Sequence, residues 1–519
     1  MLRERIEGGV ERLSVNRLHG SANAFLIAAL SEQLGRPLVV LSPTEKEARE
    51  TFQDLSLFLG SGKVLLYPPW DIQTTDMFAL QRDVELVRME VLARLLTDEP
   101  AVIVASLKAL MQKVVPRSIL DAYLEILAPG SEVPRDELVA KLVAGGYQRM
   151  TLVEDKGEFS LRGHVLDIFP PLEDSPLRLE FDGDDLESLR AFDPASQRST
   201  GRREAFVLSP AREVILSEER RQRALQNIRY RAAALELPRN VRDRLSETID
   251  AGLSTSFNPL FLPLFYESLA PTSPDSPTEN ATATQAVRLG TFFDYLPGNC
   301  FVVLDDALAI ENAGEKIENE IDRCLLKAER EGKFYLEREA SYVTKDAFIK
   351  DLRRFQRMIL EGLALGRLTE YASGNGEKTQ ASQYESLPLP LATDPELADL
   401  HRGPGGEETL LAPLVEHIRR WLQEGMLVAF LCSGKEDLQR MRHLLGNYEL
   451  PVRTPEGSLI SEAFLHSGPG VLSLREGRLS RSFLFPDLKL AAISEEELFG
   501  KKITGRRIRS AREGYFLRS

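Results

Sequence analysis

The chain has 519 residues, which is too many for one hydrophobic core and enough for three or four domains. Hydrophobic residues make up 43% and charged residues 28%, the balance of a soluble globular protein. A net charge of −14 argues against a surface that grips nucleic acid all over, and three scattered cysteines (Cys300, Cys324, Cys432) support neither a disulfide framework nor a zinc ribbon.

The N-terminus, MLRERIEGGVERL, is charged and lacks an apolar signal core. No apolar run approaches the roughly eighteen residues of a membrane span. A cytoplasmic protein with no membrane partner is expected. To about residue 128 the pattern alternates between strand and helix. Phe25–Leu34, Thr44–Leu59 and Asp83–Leu96 have helical spacing, and Pro37–Leu41, Val64–Tyr67 and Ala101–Ala105 read as apolar strands. Ala101–Ala105 is apolar on both faces, as in a buried parallel sheet. This order predicts an open parallel sheet with helices on both sides.

The first strand-to-helix turn, LHGSANAFLIAAL, tests for a phosphate loop. Such a loop needs spaced glycines, a Lys for the phosphates and a Ser or Thr for magnesium. Gly20 is present, but Asn23 and Ala24 stand where Lys and Thr are needed. The turn is read as one that simply starts a helix.

Residues 129–210 have a different texture. Leu138–Ala144 reads as a helix ended by Gly145-Gly146. Glu158–Phe169 is expected to be one strand bent at Gly163, with Arg162 and His164 on one face. Leu177, Leu179 and Phe181 alternate along a second strand, which leaves Arg178 and Glu180 to solvent. Asp182-Gly183 is a hairpin signal, and a third strand runs towards Phe192. A small antiparallel sheet with one polar face reads as a docking surface.

From 211 to 380 the α/β pattern returns. Glu219–Leu237 and Asn240–Leu253 are polar helices, and PTSPDSPTENATAT from Pro271 is a polar insertion unable to build a core. Cys300–Leu304 is a buried strand ending in Asp305-Asp306, where a helix cap is favoured over a magnesium site. Asn312–Arg330 carries Ile317, Ile321, Cys324 and Ala328 on one stripe. Ser373–Glu385 reads as a linker. A further α/β domain is expected over 387–497, with Trp421 and Cys432 in its core and His417 and His443 in solvent. Residues 498–519 form a basic linker containing Lys501, Lys502, Arg506, Arg507, Arg509, Arg512 and Arg518.

Three segments, GEFSLRGHVLDIFPP, PLRLEFDGDDLESLRAFDPASQR and ISEEELFGKKITGRRIR, resemble the N-terminal part of the bacterial transcription-repair coupling factor (Mfd) family. The resemblance implies a helicase-like α/β domain of RecA/UvrB type, divided into 1–128 and 211–380. It is split by a mainly antiparallel UvrA-binding domain at 129–210. It implies that the chain recruits UvrA without catalysis and binds no cofactor. ATP and magnesium belong to a motor half expected beyond Ser519, and contacts with RNA polymerase and DNA belong to parts not in this chain. The family's UvrA-contacting arginines fall on Arg162 and Arg178. Its aromatic position, four residues after the second, is Asp182 here, which removes a hot-spot anchor. After Tyr67 the chain also lacks the tyrosine-rich hairpin with which UvrB grips DNA.

Each arginine has a plain alternative, pairing with Glu180, Asp182, Asp184, Asp185 or Glu187. If the arginines face the partner, truncating both should abolish UvrA capture without changing the melting of the fold. The competing enzyme reading is a helicase-like ATPase with an atypical site at Gly20 and Asp305. A third reading makes the C-terminal cations a DNA-contacting strip.

Overall fold

The computed structural model describes residues 2–16, 20–60, 62–71, 81–97, 101–250, 258–269, 287–361, 385–388, 407–455 and 457–499. The insertion from Pro271, most of the 373–385 linker and the C-terminal cations lie outside these residues, as does the segment 72–80.

The first four strands are β1 (Arg12–Asn16), β2 (Leu38–Ser42), β3 (Val64–Tyr67) and β4 (Val102–Ser106). The last three are buried along their whole length, as strands covered on both faces must be. Helices Ala22–Leu34, Glu45–Leu59 and Arg82–Leu96 connect them. Thr44 and Glu47 form a capping box that fixes the start of the second helix. β1 was not foreseen, because five residues mixing Arg, Ser and Asn carry little apolar signal.

Next come β5 (Glu125–Leu127), β6 (Gln148–Arg149), β7 (Glu158–Arg162), β8 (Val165–Ile168), β9 (Leu177–Asp182), β10 (Asp185–Phe192), β11 (Ser199–Arg202) and β12 (Phe206–Leu208). β5 and β12 pair by themselves, and the others form one sheet in the order β11-β10-β9-β8-β7-β6. The expected single strand over Glu158–Phe169 is instead a hairpin. Gly163 takes φ +61, and Arg162 pairs with Val165 around the two-residue loop Gly163-His164. A positive φ at Gly lets so short a turn close, so the chain reverses where a bend was expected. His164 therefore sits in a turn and shares no strand face with Arg162. The second hairpin closes through Gly183-Asp184, with Asp182 opposite Asp185.

The chain then returns to the first sheet through β13 (Phe301–Asp305), β14 (Gln356–Glu361) and β15 (Glu385–Pro388). The completed sheet is wholly parallel, in the order β15-β1-β14-β13-β2-β4-β3. Asp306 caps helix Ala307–Arg330, its carboxylate accepting the Ala309 amide at 2.9 Å. Asp305 is not a cap; it is half-buried at the strand end, where Asn23 Nδ2 donates to it at 3.4 Å.

A last unit contains helix Glu407–Gln423 and strands β16 (Leu427–Cys432), β17 (Val452–Arg453), β18 (Val471–Glu476), β19 (Phe483–Phe485) and β20 (Leu490–Ser494). Its order is β17-β18-β16-β20-β19, parallel except at β19–β20. Trp421 and Cys432 are in its core, as expected.

Two junctions hold the small sheet and the last unit against the first domain. Arg88, fully buried on helix Arg82–Leu96, donates to Glu213 at 2.5 Å and to the Pro68 carbonyl at 3.0 Å. Trp70 Nε1 donates to the same Glu213 at 3.1 Å, and the Arg88 guanidinium lies 4.4 Å from the Tyr67 ring centre. This network ties the chain leaving the small sheet to the first domain. At the second junction, one apolar cluster takes in Phe25 and Phe58 together with Leu459, Ile460, Phe483 and Phe485.

Candidate partner-binding face of the small sheet

Alternation along the small sheet decides which side chains face out. Leu166, Ile168, Leu177, Leu179, Phe181, Leu186, Leu189 and Ala191 fill the core beneath one face. The opposite face is read from the register. Arg202 pairs with Arg190, Arg190 with Arg178, Arg178 with Asp167, and Asp167 with Ser160. One row across five strands is therefore Arg-Arg-Arg-Asp-Ser. Like charges opposite one another on neighbouring strands repel, so the row persists only where carboxylates compensate it.

Asp167 supplies most of that compensation. Its side chain is 0% exposed although it lies on the polar face, because two arginines cover it. Arg178 engages it with both ends of its fork, Nε to Oδ1 at 2.7 Å and Nη2 to Oδ2 at 3.0 Å. Arg162 reaches over from the preceding hairpin strand and donates from Nη2 to the same Oδ2. A carboxylate accepting a forked pair of donors from one guanidinium and a further donor from a second is the strong form of charge-assisted bond. Those bonds push the Arg178 pKa up still further, so the group is always charged.

The two arginines are not equivalent. Arg178 is 20% exposed and is held from several sides. Its guanidinium lies 4.8 Å from the Phe192 ring centre, and its Nη1 donates to the Gln197 carbonyl at 3.4 Å. Phe192 belongs to a small buried cluster with Val153 and Phe169. Gln197 is itself fixed, at φ +59, by donating to the carbonyls of Val153 and Pro194. Arg162 is 48% exposed and is bonded to Asp167 through one nitrogen. Arg162 thus offers free donors to solvent, while Arg178 forms the floor beside it. Arg190 pairs with Glu180 at 3.4 Å, and Arg202 lies on a fully exposed strand.

Asp182 is exposed at the end of β9, beside the second hairpin loop, and is not part of the arginine cluster. The carboxylate that holds the arginines was missed in the sequence, which supplied five acids nearer the second hairpin. The available signal was pairing: Asp167 lies directly opposite Arg178 once Gly163 closes a hairpin. The arrangement contains no nucleophile–base pair. Among the described residues, no group of three or more His, Cys, Asp or Glu could hold a metal ion.

At the enzyme-type positions, Gly20 and Ser21 precede helix Ala22–Leu34, and Asn23 meets Asp305. Burial pushes the Asp305 pKa up to about 7. Among the described residues, the side chain that bonds Asp305 is the Asn23 amide. Among the described residues no helix is long and apolar enough to cross a membrane.

The family model described as the UvrB interaction domain matches residues 126–214, the stretch that carries this face. A transcription-repair-coupling factor of Myxococcus xanthus is 30% identical over 520 residues, covering 96% of this chain and 40% of that protein. The Bacillus subtilis protein of the same name is 25% identical over 506 residues, covering 96% of this chain and 39% of its own length. The UvrABC system protein B of Kosmotoga olearia is 30% identical over 225 residues, covering 40% of this chain and 33% of its own. The chain spans about two fifths of the length of the coupling factors it matches.

Proposed function

The chain belongs, over the region it shares with them, to the transcription-repair coupling factor family, and on that premise we propose that it captures UvrA through the Arg162–Asp167–Arg178 face. The capture links stalled RNA polymerase to nucleotide excision repair. The observation that carries this reading is the coincidence of two things. The UvrB interaction domain match falls on the small sheet, and the polar face of that sheet holds two arginines preorganised on one buried carboxylate.

Preorganisation matters for docking. A free arginine loses rotamer freedom when it binds, at a cost of roughly 0.5–1.5 kcal/mol for each immobilised side chain. Arg178 has lost that freedom already. Arg162 is anchored at one nitrogen and offers the others, in a fork that suits a partner carboxylate or a row of backbone carbonyls. In this reading the chain is a non-catalytic adaptor that needs no cofactor and works in the cytoplasm. Contacts with RNA polymerase and DNA, and any ATP-driven motor, belong to the part of the family's length that this chain does not cover. The alternative, a helicase-like ATPase at Gly20 and Asp305, draws no support from the site, where an asparagine amide takes the place of the lysine.

The direct test is co-sedimentation of the purified chain with UvrA. Comigration at micromolar concentration is expected. Separate migration at low ionic strength would overturn the adaptor reading.

A further inference from the structure

The turn at Gly20 and the 407–499 unit are both left unused by partner capture, and they meet. Gly20 takes φ +60, and a Cβ placed on it would stand 2.7 Å from the Ser482 carbonyl oxygen and 3.2 Å from Arg481 Cβ. Ser21 precedes helix Ala22–Leu34 but makes no capping bond with its side chain. Its hydroxyl instead donates to Asp54 Oδ2 at 2.6 Å and accepts the Arg481 amide at 3.0 Å. Asp54 is 4% exposed, and its other oxygen accepts the Ser480 amide at 2.7 Å. Two backbone amides of the last unit are thus satisfied by one serine and one carboxylate of the first domain.

The surrounding contacts are close and apolar. A Cβ on Gly477 would stand 2.1 Å from Leu57 Cδ1, so only glycine allows this approach without Leu57 moving. Phe25 packs against Phe58, Phe483 and Phe485 at ring-centre distances of 5.5, 5.7 and 6.2 Å. Helix Leu459–Leu465 adds Leu459, Ile460 and Ala463 to the same cluster.

The position of the contact gives it meaning. The N-terminus of a helix that follows a parallel strand exposes amide donors and the positive end of its dipole, which is where nucleotide phosphates bind in sheets of this type. Here the Ser482 carbonyl oxygen sits against Gly20. It fills the space beside Gly20 that a bound group would need. More than Asn23 and Ala24 in the places of Lys and Thr therefore stands against a phosphate at this turn, because chain from the last unit lies against Gly20.

We propose that the Gly477–Ser482 loop is a built-in plug for the phosphate-binding end of the first sheet, and that the 407–499 unit serves to hold this domain closed without nucleotide. The closed form is then a fixed platform for the small sheet, with no cycle of opening and closing. This inference is independent of UvrA capture.

The test is amide hydrogen exchange on the full chain, with Mg-ATP as the probe ligand. Millimolar Mg-ATP should leave exchange at Ser480–Ser482 unchanged, and acceleration there would overturn the plug. Asp54→Ala should speed exchange of those amides and of helix Leu459–Leu465 by about tenfold or more, leaving β8 and β9 unaffected. Unchanged exchange at Ser480–Ser482 in that variant would also overturn it. Gly477→Val presses on the same junction from the other side through Leu57, and is read in the same way if Asp54→Ala does not fold.

Discussion

Asp167 and Arg178 stand opposite each other on neighbouring antiparallel strands and are joined through both carboxylate oxygens, at 2.7 and 3.0 Å. This bond makes the polar face an organised site. Asp167→Asn keeps one acceptor and removes the charge that both arginines need. Because Arg162 and Arg178 can still reach water, the loss should be about 1–3 kcal/mol in the exchange stability of β8 and β9. UvrA should bind more weakly even though no contacting residue has changed. Unaltered exchange and unaltered binding would show that the carboxylate positions nothing.

The same geometry argues against the expectation that truncating both arginines leaves the fold unchanged. Removing either one takes a partner from a carboxylate that is 0% exposed while both are in place. Arg178→Ala should destabilise the small sheet by about 3 kcal/mol or more, whereas Arg162→Ala should cost about 1 kcal/mol or less, since Arg162 is 48% exposed. Exchange measurements on the two single variants separate these values. Equal losses would contradict the assignment of Arg178 as the buried floor.

Asp182 offers a gain-of-binding test. It is exposed at the end of β9 and takes no part in holding the arginines. Asp182→Tyr supplies the aromatic anchor the surface lacks, and should tighten UvrA binding by about 1 kcal/mol, read as a fivefold fall in Kd. Unchanged binding would place Asp182 outside the contact, and weaker binding would make its charge useful there.

The junction at Arg88 should be unforgiving. Arg88→Met leaves Glu213, at 3% exposure, without its ion-pair partner and should cost about 3–5 kcal/mol. Adding Glu213→Gln should restore much of that loss. Thermal unfolding of the single and double variants checks it, and a single variant as stable as the parent would contradict the lock.

Closure of the plug should depend on pH. Burial, helped by the nearby Glu50, holds the Asp54 pKa up at about 6 despite its donors Ser21 and Ser480, and burial holds Asp305, beside Glu47 and Asp306, up at about 7. Both values lie above the ordinary carboxylate range, so the folded state binds these protons more tightly than the unfolded one. Their contribution is complete below about pH 4 and is lost as pH rises through 6 and 7. Exchange at Ser480–Ser482, corrected for intrinsic rate, should therefore be slower at pH 5.5 than at pH 8. Asp54→Asn should flatten that difference, and a steeper difference in the variant would contradict the assignment.

Much of this was legible in the sequence. Strands apolar on both faces announced a parallel sheet, and Val64–Tyr67 was located to the residue. The alternation of Leu177, Leu179 and Phe181 placed Arg178 on the polar face. What was hidden depended on pairing across the chain. β1 and β15 carry little apolar signal and exist because the growing sheet offers them partners. Asp167 became a partner of Arg162 and Arg178 only when Gly163 closed a hairpin. The approach of Ser482 to Gly20 joins residues more than four hundred positions apart, which no local pattern encodes.

The central claim, that UvrA is captured by the arginine face, is tested most directly with Arg162→Glu. This residue is half exposed, so reversing its charge leaves the core alone. Titration of UvrA with the parent chain and with the variant, alongside exchange of β8 and β9, should show affinity falling at least about a hundredfold, or about 2.7 kcal/mol. Protection of the small sheet should drop only slightly. Affinity within about threefold of the parent, with protection intact, would contradict the account.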